Sequence, residues 1–146
     1  MNQTIKLKTD PEFKLVGIDL LNVILNLPAH PEKSIAAFYF TINTEQKINS
    51  ESRIIAVVVT VDIFEKGKPE LLGHISVGNL FQIGNFEDLV TIDNENHAIV
   101  EQRFSEVLNS IAISTTRGVI FSSFRGTYLH NAFLPIIDPK HMKINQ

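Results

Sequence analysis

"RIIAVVVTVDIFEKGKPELLGHISVGNLFQI", residues 53–83, decides the fold. Its first half is largely β-branched, with Ile55, Val57, Val59, Val61 and Ile63 at every second position. Strand side chains alternate between faces, so this spacing predicts a strand with one wholly apolar face. "EKGKPE", residues 65–70, interrupts it with a glycine and a proline, the strongest local turn signals. "LLGHISVGNLFQI", residues 71–83, then returns with Leu71, Ile75, Val77, Phe81 and Ile83 inward and His74, Ser76 and Gln82 outward. So short a turn leaves no room for a helical crossover, which makes the pair antiparallel. The glycines of "GHISVGNL" lie within a strand and open no helix. They predict a bulge or a close backbone approach rather than a phosphate cradle.

Upstream, "FKLVGIDLLNVILNLP", residues 13–28, places Phe13, Leu15, Leu21, Val23, Leu25 and Leu27 at odd positions. The even positions mix Lys14, Asn22 and Asn26 with Val16, Ile18, Leu20 and Ile24. This reads as a half-buried strand, bent or bulged at Gly17 and ended by Pro28 and Pro31. "SIAAFYFTIN", residues 34–43, is β-branched and aromatic and reads as another strand.

Downstream, "NFEDLVTIDNEN", residues 85–96, reads as a polar connector. From Ala98 the period changes. Val100, Phe104, Val107, Leu108 and Ile111 form the apolar stripe of a helix. Asn109 and Ser110 predict a break, followed by a second helix carrying Ile113, Ile120, Phe121 and Phe124. Arg125 supplies a cation for its last turn and Gly126 a terminating residue. The expected fold is α+β: a four-stranded antiparallel sheet followed by two helices packed on one face, in one domain spanning residues 1–146.

One helical layer covers one sheet face. The other face of the third strand (Ile54, Ala56, Val58, Phe64) and the even face of the first are also partly apolar, which predicts self-association. A further anomaly follows Gly126. Tyr128, Leu129, Phe133, Leu134, Ile136 and Ile137 crowd into a tail without helical spacing, where a loop would ordinarily be polar.

Thirteen basic and sixteen acidic residues give a net charge of −3, with no basic stripe beyond Lys6 and Lys8, which argues against a nucleic-acid binder. The absence of cysteine excludes disulfides, thiolate metal sites and thiol nucleophiles. His74, His97, His130 and His141 show no metal-ligand spacing, and no phosphate-binding or nucleophile-elbow motif is present. Ser114, Ser122, Ser123, His130 and Asp138 have no triad signature. Asp10, Asp19, Glu87, Asp88 and Asp93 fall in connectors or on strand surfaces, where solvation is the default. The sequence therefore predicts no enzyme, no metal and no cofactor. "LLNVILNLP", residues 20–28, is too short for a membrane span, and the first thirty residues lack a signal-peptide pattern, so a cytoplasmic location is expected.

"GHISVGNLFQIGNFED", residues 73–88, resembles the fourth strand and following connector of the SecB protein-export chaperone family. The shared pattern is Leu80, Phe81, Gln82 and Ile83. "LNSIAISTTRGVIFSSFRGTYLHNAFLPIIDP", residues 108–139, resembles that family's main helix, its terminal Arg125-Gly126-Thr127 and its proline-containing segment, here "LPIID". The first strand, Phe13 to Pro28, is a third match in the same order.

The resemblance implies a four-stranded antiparallel sheet with packed helices, in protomers that pair into dimers and again into a homotetramer. It implies a holdase that binds unfolded polypeptides or preproteins before translocation without nucleotide. Leu80 and Phe81 would form the floor of a client groove, with Phe121, Phe124, Tyr128, Phe133, Leu134 and Ile136 as its wall. Val100, Phe104, Val107, Leu108 and Ile111 would serve the oligomer interface. The docking surface for the SecA motor would map to Asn22, Asn26, Leu72 and His74. There the family's carboxylates are absent, and neutral amides do not supply the electrostatic steering of a basic tail. A SecB-fold module dedicated to one partner, such as a toxin–antitoxin-associated chaperone, is the alternative, without SecA coupling.

Overall fold

The structure is a computed structural model that describes residues 10–137 together with 144 and 145. Lys6, Lys8, Asp138, Pro139 and His141 lie outside the described residues. Four long strands run Phe13–Leu25 (β1), Phe38–Asn49 (β2), Ile54–Glu65 (β3) and Leu71–Ile83 (β4). They are followed by a single turn of helix, Phe86–Leu89 (α1), and a small hairpin, Val90–Ile92 (β5) with Ala98–Val100 (β6). A long helix, Gln102–Phe124 (α2), and a short strand, Ile144–Asn145 (β7), complete the order. The sheet runs β1-β4-β3-β2, antiparallel throughout, with β7 added in parallel on β2.

The decisive stretch forms β3 and β4 as its alternation predicts, except at the start of β4, where an irregularity sets Leu71 opposite outward Phe64 and buries Leu72 in its place. Ile55, Val57, Val59, Val61 and Ile63 are fully buried, and Ile75, Val77, Phe81 and Ile83 face the same side. α2 packs across this face with Phe104, Leu108, Ala112, Ile113, Ile120 and Phe124 buried. Gly73 is a close-approach position: a Cβ there would stand 2.6 Å from Leu129 Cδ1, so the missing side chain admits Leu129 from the tail.

Three expectations are corrected. α2 is one 23-residue helix, not two, because Asn109 is wholly buried. Its side chain accepts a hydrogen bond from Gln46 Nε2 at 3.1 Å, so it serves the helix–sheet contact instead of competing for the helix backbone. The helix begins at Gln102, not Ala98, since Ala98–Val100 pairs with Val90–Ile92. Asp93 holds the intervening turn by accepting bonds from the Glu95 and His97 N–H groups at 2.9 and 2.8 Å. Finally, β2 runs on to Asn49 instead of ending at Asn43; its inward residues there, Thr44 and Gln46, are polar yet buried, which hides the alternation.

β1 carries two bulges, between Leu15 and Gly17 and between Leu20 and Asn22. The bend expected at Gly17 is present, and the second bulge restores the parity that the first disturbs. Cross-strand pairing then sets Phe13, Leu15, Ile18, Leu20, Val23 and Leu25 on the core side of the sheet. Lys14, Gly17, Asp19, Asn22 and Ile24 lie on the outer side. Leu21, read from its odd number as inward, is instead the extra residue of the second bulge.

Candidate functional site

The tail is not a random apolar loop. Leu129, Ala132 and Leu134 are buried under the end of α2, while Phe133 and Ile136 point outward at 59% and 94% exposure. Arg117, on α2, donates from Nε to the Leu134 carbonyl and from a terminal nitrogen to the Pro135 carbonyl, each at 2.8 Å. These charge-assisted bonds clip the tail to the helix. Phe133 stacks on Phe121 with ring centres 6.3 Å apart, and the His130 ring lies 5.9 Å from that of Phe121. The Gly126 N–H donates to His130 Nδ1 at 2.9 Å, which fixes that imidazole at the helix end.

The helix surface beside this cluster is unusual in its chemistry. From Val107 to Phe124 the exposed residues are Val107, Ser110, Ser114, Gly118, Phe121 and Ser122, with no charge among them. A helix lying on a sheet ordinarily turns charged residues to water. Arg117, the one charged residue of this span, is half-buried and committed to the tail carbonyls.

The eight residues expected to line one groove divide among three environments. Phe121 and Phe133 stack on each other at the surface, Ile136 projects into solvent farther along the tail, and half-buried Tyr128 is nearby in the chain. Phe81, Phe124 and Leu134 lie in the core, at 0%, 1% and 2% exposure. Leu80 is on the outer sheet face, where its side chain lies across Gly17; a Cβ on that glycine would be 2.9 Å from Leu80 Cδ1. As neighbours on one strand, Leu80 and Phe81 point to opposite faces, so they do not form a common floor. Of the expected interface stripe, Val100, Phe104 and Leu108 are buried within the protomer, Ile111 is half-buried, and Val107 remains exposed.

The positions matched to a partner-docking surface also separate. Asn22 and His74 sit on the outer face, and Asn26 bonds the Leu71 carbonyl at 3.1 Å. Leu72 is buried at the irregularity in the β3–β4 register. The cross-strand neighbour of His74 escaped sequence reading: Asp62, on β3, places Oδ1 2.6 Å from His74 Nδ1. Thr41 adds a weak bond to the same carboxylate, and Thr60 and Ser76 pair at 3.2 Å farther along the sheet. Asp62 and Asp19 thus put carboxylates on a face where the matched positions have none.

The apolar surplus expected on the first strand is present and larger than its even positions alone suggest. Eight large apolar side chains of β1 are 38–56% exposed, on both faces of the strand. Even and odd positions are both apolar, which is a mark of surface covered from two sides.

Among the described residues there is no cluster of potential metal ligands, and no helix is long and apolar enough to cross a membrane. No family model and no curated protein matches the chain. A solved structure similar to it is a protein of unknown function from Streptococcus agalactiae. That likeness has 9% identity and a TM-score of 0.40, covering 80% of this chain and 90% of that one.

Proposed function

We propose that this chain is a cytoplasmic holdase of SecB-like type, which binds unfolded polypeptide through the exposed Phe121–Phe133 stack and the outward Ile136 of the tail. The carrying observation is that stack, set against a charge-free helix surface and held by the Arg117 clip. A non-native chain exposes apolar side chains that would otherwise aggregate. Aromatic faces bury such side chains without demanding one sequence, and binding only the unfolded state opposes aggregation by mass action. Delivery of clients for translocation belongs to the proposal through the family resemblance alone.

The test is aggregation of a chemically unfolded client, followed by light scattering without nucleotide. Stoichiometric protein delays aggregation, and a Phe121→Ala/Phe133→Ala variant, still folded by circular dichroism, loses most of the delay. No delay across several unrelated clients rejects the reading. One observation favours the second reading, a module for a single folded partner: the exposed aromatic cluster is compact, and the other expected groove residues do not join it. Such a module shows no competition between unrelated unfolded clients.

A further inference from the structure

We infer that the surface around Phe121 is a site for a carboxylate attached to an apolar group, with Arg117 as the partner of the anion. The inference deepens the proposed function and rests on that reading only in placing the carboxylate on an unfolded chain.

Charge along the sequence is the first observation. Residues 107–137 contain two arginines, Arg117 and Arg125, and no acidic residue. The whole chain has sixteen acidic residues and a net charge of −3, so this stretch is positive within a negative molecule. Arg117, Phe121 and Arg125 follow one another at intervals of four, which sets them along one side of α2 and its end. The Phe121 ring thus has one guanidinium a helical turn before it and another a turn after it.

The two cations are not equivalent. Arg125 is the C-cap of α2, where a positive charge answers the negative end of the helix dipole. Arg117 lies two turns farther in and has no such counterpart. It donates only to the carbonyls of Leu134 and Pro135, which are neutral. Among the described residues no carboxylate forms an ion pair with it. The side chain is half-buried, so it is partly dehydrated with no opposite charge beside it. One terminal nitrogen is committed to Pro135. The other has no partner among the described residues and is not sealed from water. A guanidinium carries five N–H donors in a planar fork that matches a carboxylate, and two carbonyls leave part of that fork open.

The aromatic stack supplies the apolar half of the site. Phe121 and Phe133 are 43% and 59% exposed, which leaves ring surface to bury a side chain next to the anion. His130, whose ring stands beside Phe121, adds a directional donor. Its Nδ1 accepts from the Gly126 N–H, so the hydrogen of the neutral imidazole sits on Nε2, where no described residue accepts it. A peptide lying over the stack meets this N–H with a backbone carbonyl. Charge complementarity then selects among clients. A segment with a carboxylate beside apolar residues is favoured, and one with a cation in the same place is repelled. Aromatic faces alone would make no such distinction.

The test uses the full chain and three end-blocked, leucine-rich peptides that differ only in a central Glu, Gln or Lys. A fourth peptide repeats the Gln sequence with its C-terminal carboxylate free. Affinities are read by NMR titration of the phenylalanine ring signals. The Glu peptide should bind about three- to ten-fold more tightly than the Gln peptide, and the Lys peptide more weakly than either. An equal gain for the free-ended peptide would extend the site to chain termini, and no gain would confine it to acidic side chains. At ~1 M salt, where the screening length is about 3 Å, the Glu preference should shrink. Arg117→Gln loosens the tail and weakens every peptide, so the Glu-to-Gln ratio is the readout, and it should fall to about one. Arg117→Lys keeps the charge and should restore part of the preference. Equal affinities for the Glu and Gln peptides overturn the inference, as does a preference that survives in Arg117→Gln. So does a preference seen only in Asp138→Asn, since the carboxylate of this chain would then fill the site itself. A Glu preference without delayed client aggregation rejects the holdase reading and leaves the site standing. Delayed aggregation with equal affinities does the opposite.

Discussion

Tyr128 marks the boundary between core and surface at the level of a single residue. The side chain is half-buried, but its hydroxyl is shut away with no hydrogen-bond partner among the described residues. Burial pushes its pKa above the ordinary value of 10.0. The folded form therefore keeps its proton to higher pH than the unfolded chain does. This contribution is fully present below pH ~10 and is lost as pH rises through the folded pKa. Tyr128→Phe should remove that alkaline loss. At neutral pH it should leave stability unchanged or raise it by about 1 kcal/mol, since an orphaned hydroxyl carries a desolvation cost. Urea midpoints at about pH 8 and pH 11 check both statements. A large drop at neutral pH would instead mean that the hydroxyl has found a partner.

At the level of elements, legibility followed the chemistry of the inward face. β3 and β4 were readable because their inward positions are apolar but for Asn79, whose Nδ2 donates to the Val57 carbonyl. The second half of β2 was not, since buried Thr44 and Gln46 imitate a loop, and Gln46 finds its partners on α2. Gln46 Nε2 donates to Ser105 Oγ at 2.8 Å as well as to Asn109. The same contact turned a predicted helix break into a continuous helix. Long-range partners of this kind leave no local periodicity to find. The site was only partly legible for a related reason: composition announced surplus apolar residues, but whether Phe121 or Phe124 meets solvent depends on how the tail lies across the helix end. Arg117 is the residue that decides this, and it gave no signal of its own. Arg117→Gln should leave α2 formed while loosening the tail, because hydrogen bonds from a charged donor are worth about 1.5–3 kcal/mol. Hydrogen exchange at Ala132–Ile137 should quicken with little change across β3 and β4. Uniform quickening would place Arg117 in the global fold rather than in the clip.

On the scale of the whole molecule, two apolar surfaces lie on different elements and pose different demands. β1 offers backbone groups and alternating side chains in a fixed register, which suits a partner of one defined shape. The Phe121–Phe133 cluster offers aromatic faces without a ladder, which suits partners of many shapes. If the SecB-like reading holds and copies pair through β1, two client surfaces lie on one particle. Linked sites raise the apparent affinity for a long chain by effective concentration, provided the client can span them. Leu20→Pro, which disrupts pairing at that edge, should then retain aggregation suppression for short clients, chain for chain, but suppress long clients markedly less well than the unaltered protein. Phe121→Ala/Phe133→Ala should do the reverse, keeping the dimer mass while losing activity toward both. Titrating one unfolded client in short and long versions against the two variants separates these outcomes. Equal loss for short and long clients in Leu20→Pro would place client binding on β1 itself, and the two surfaces would no longer be independent.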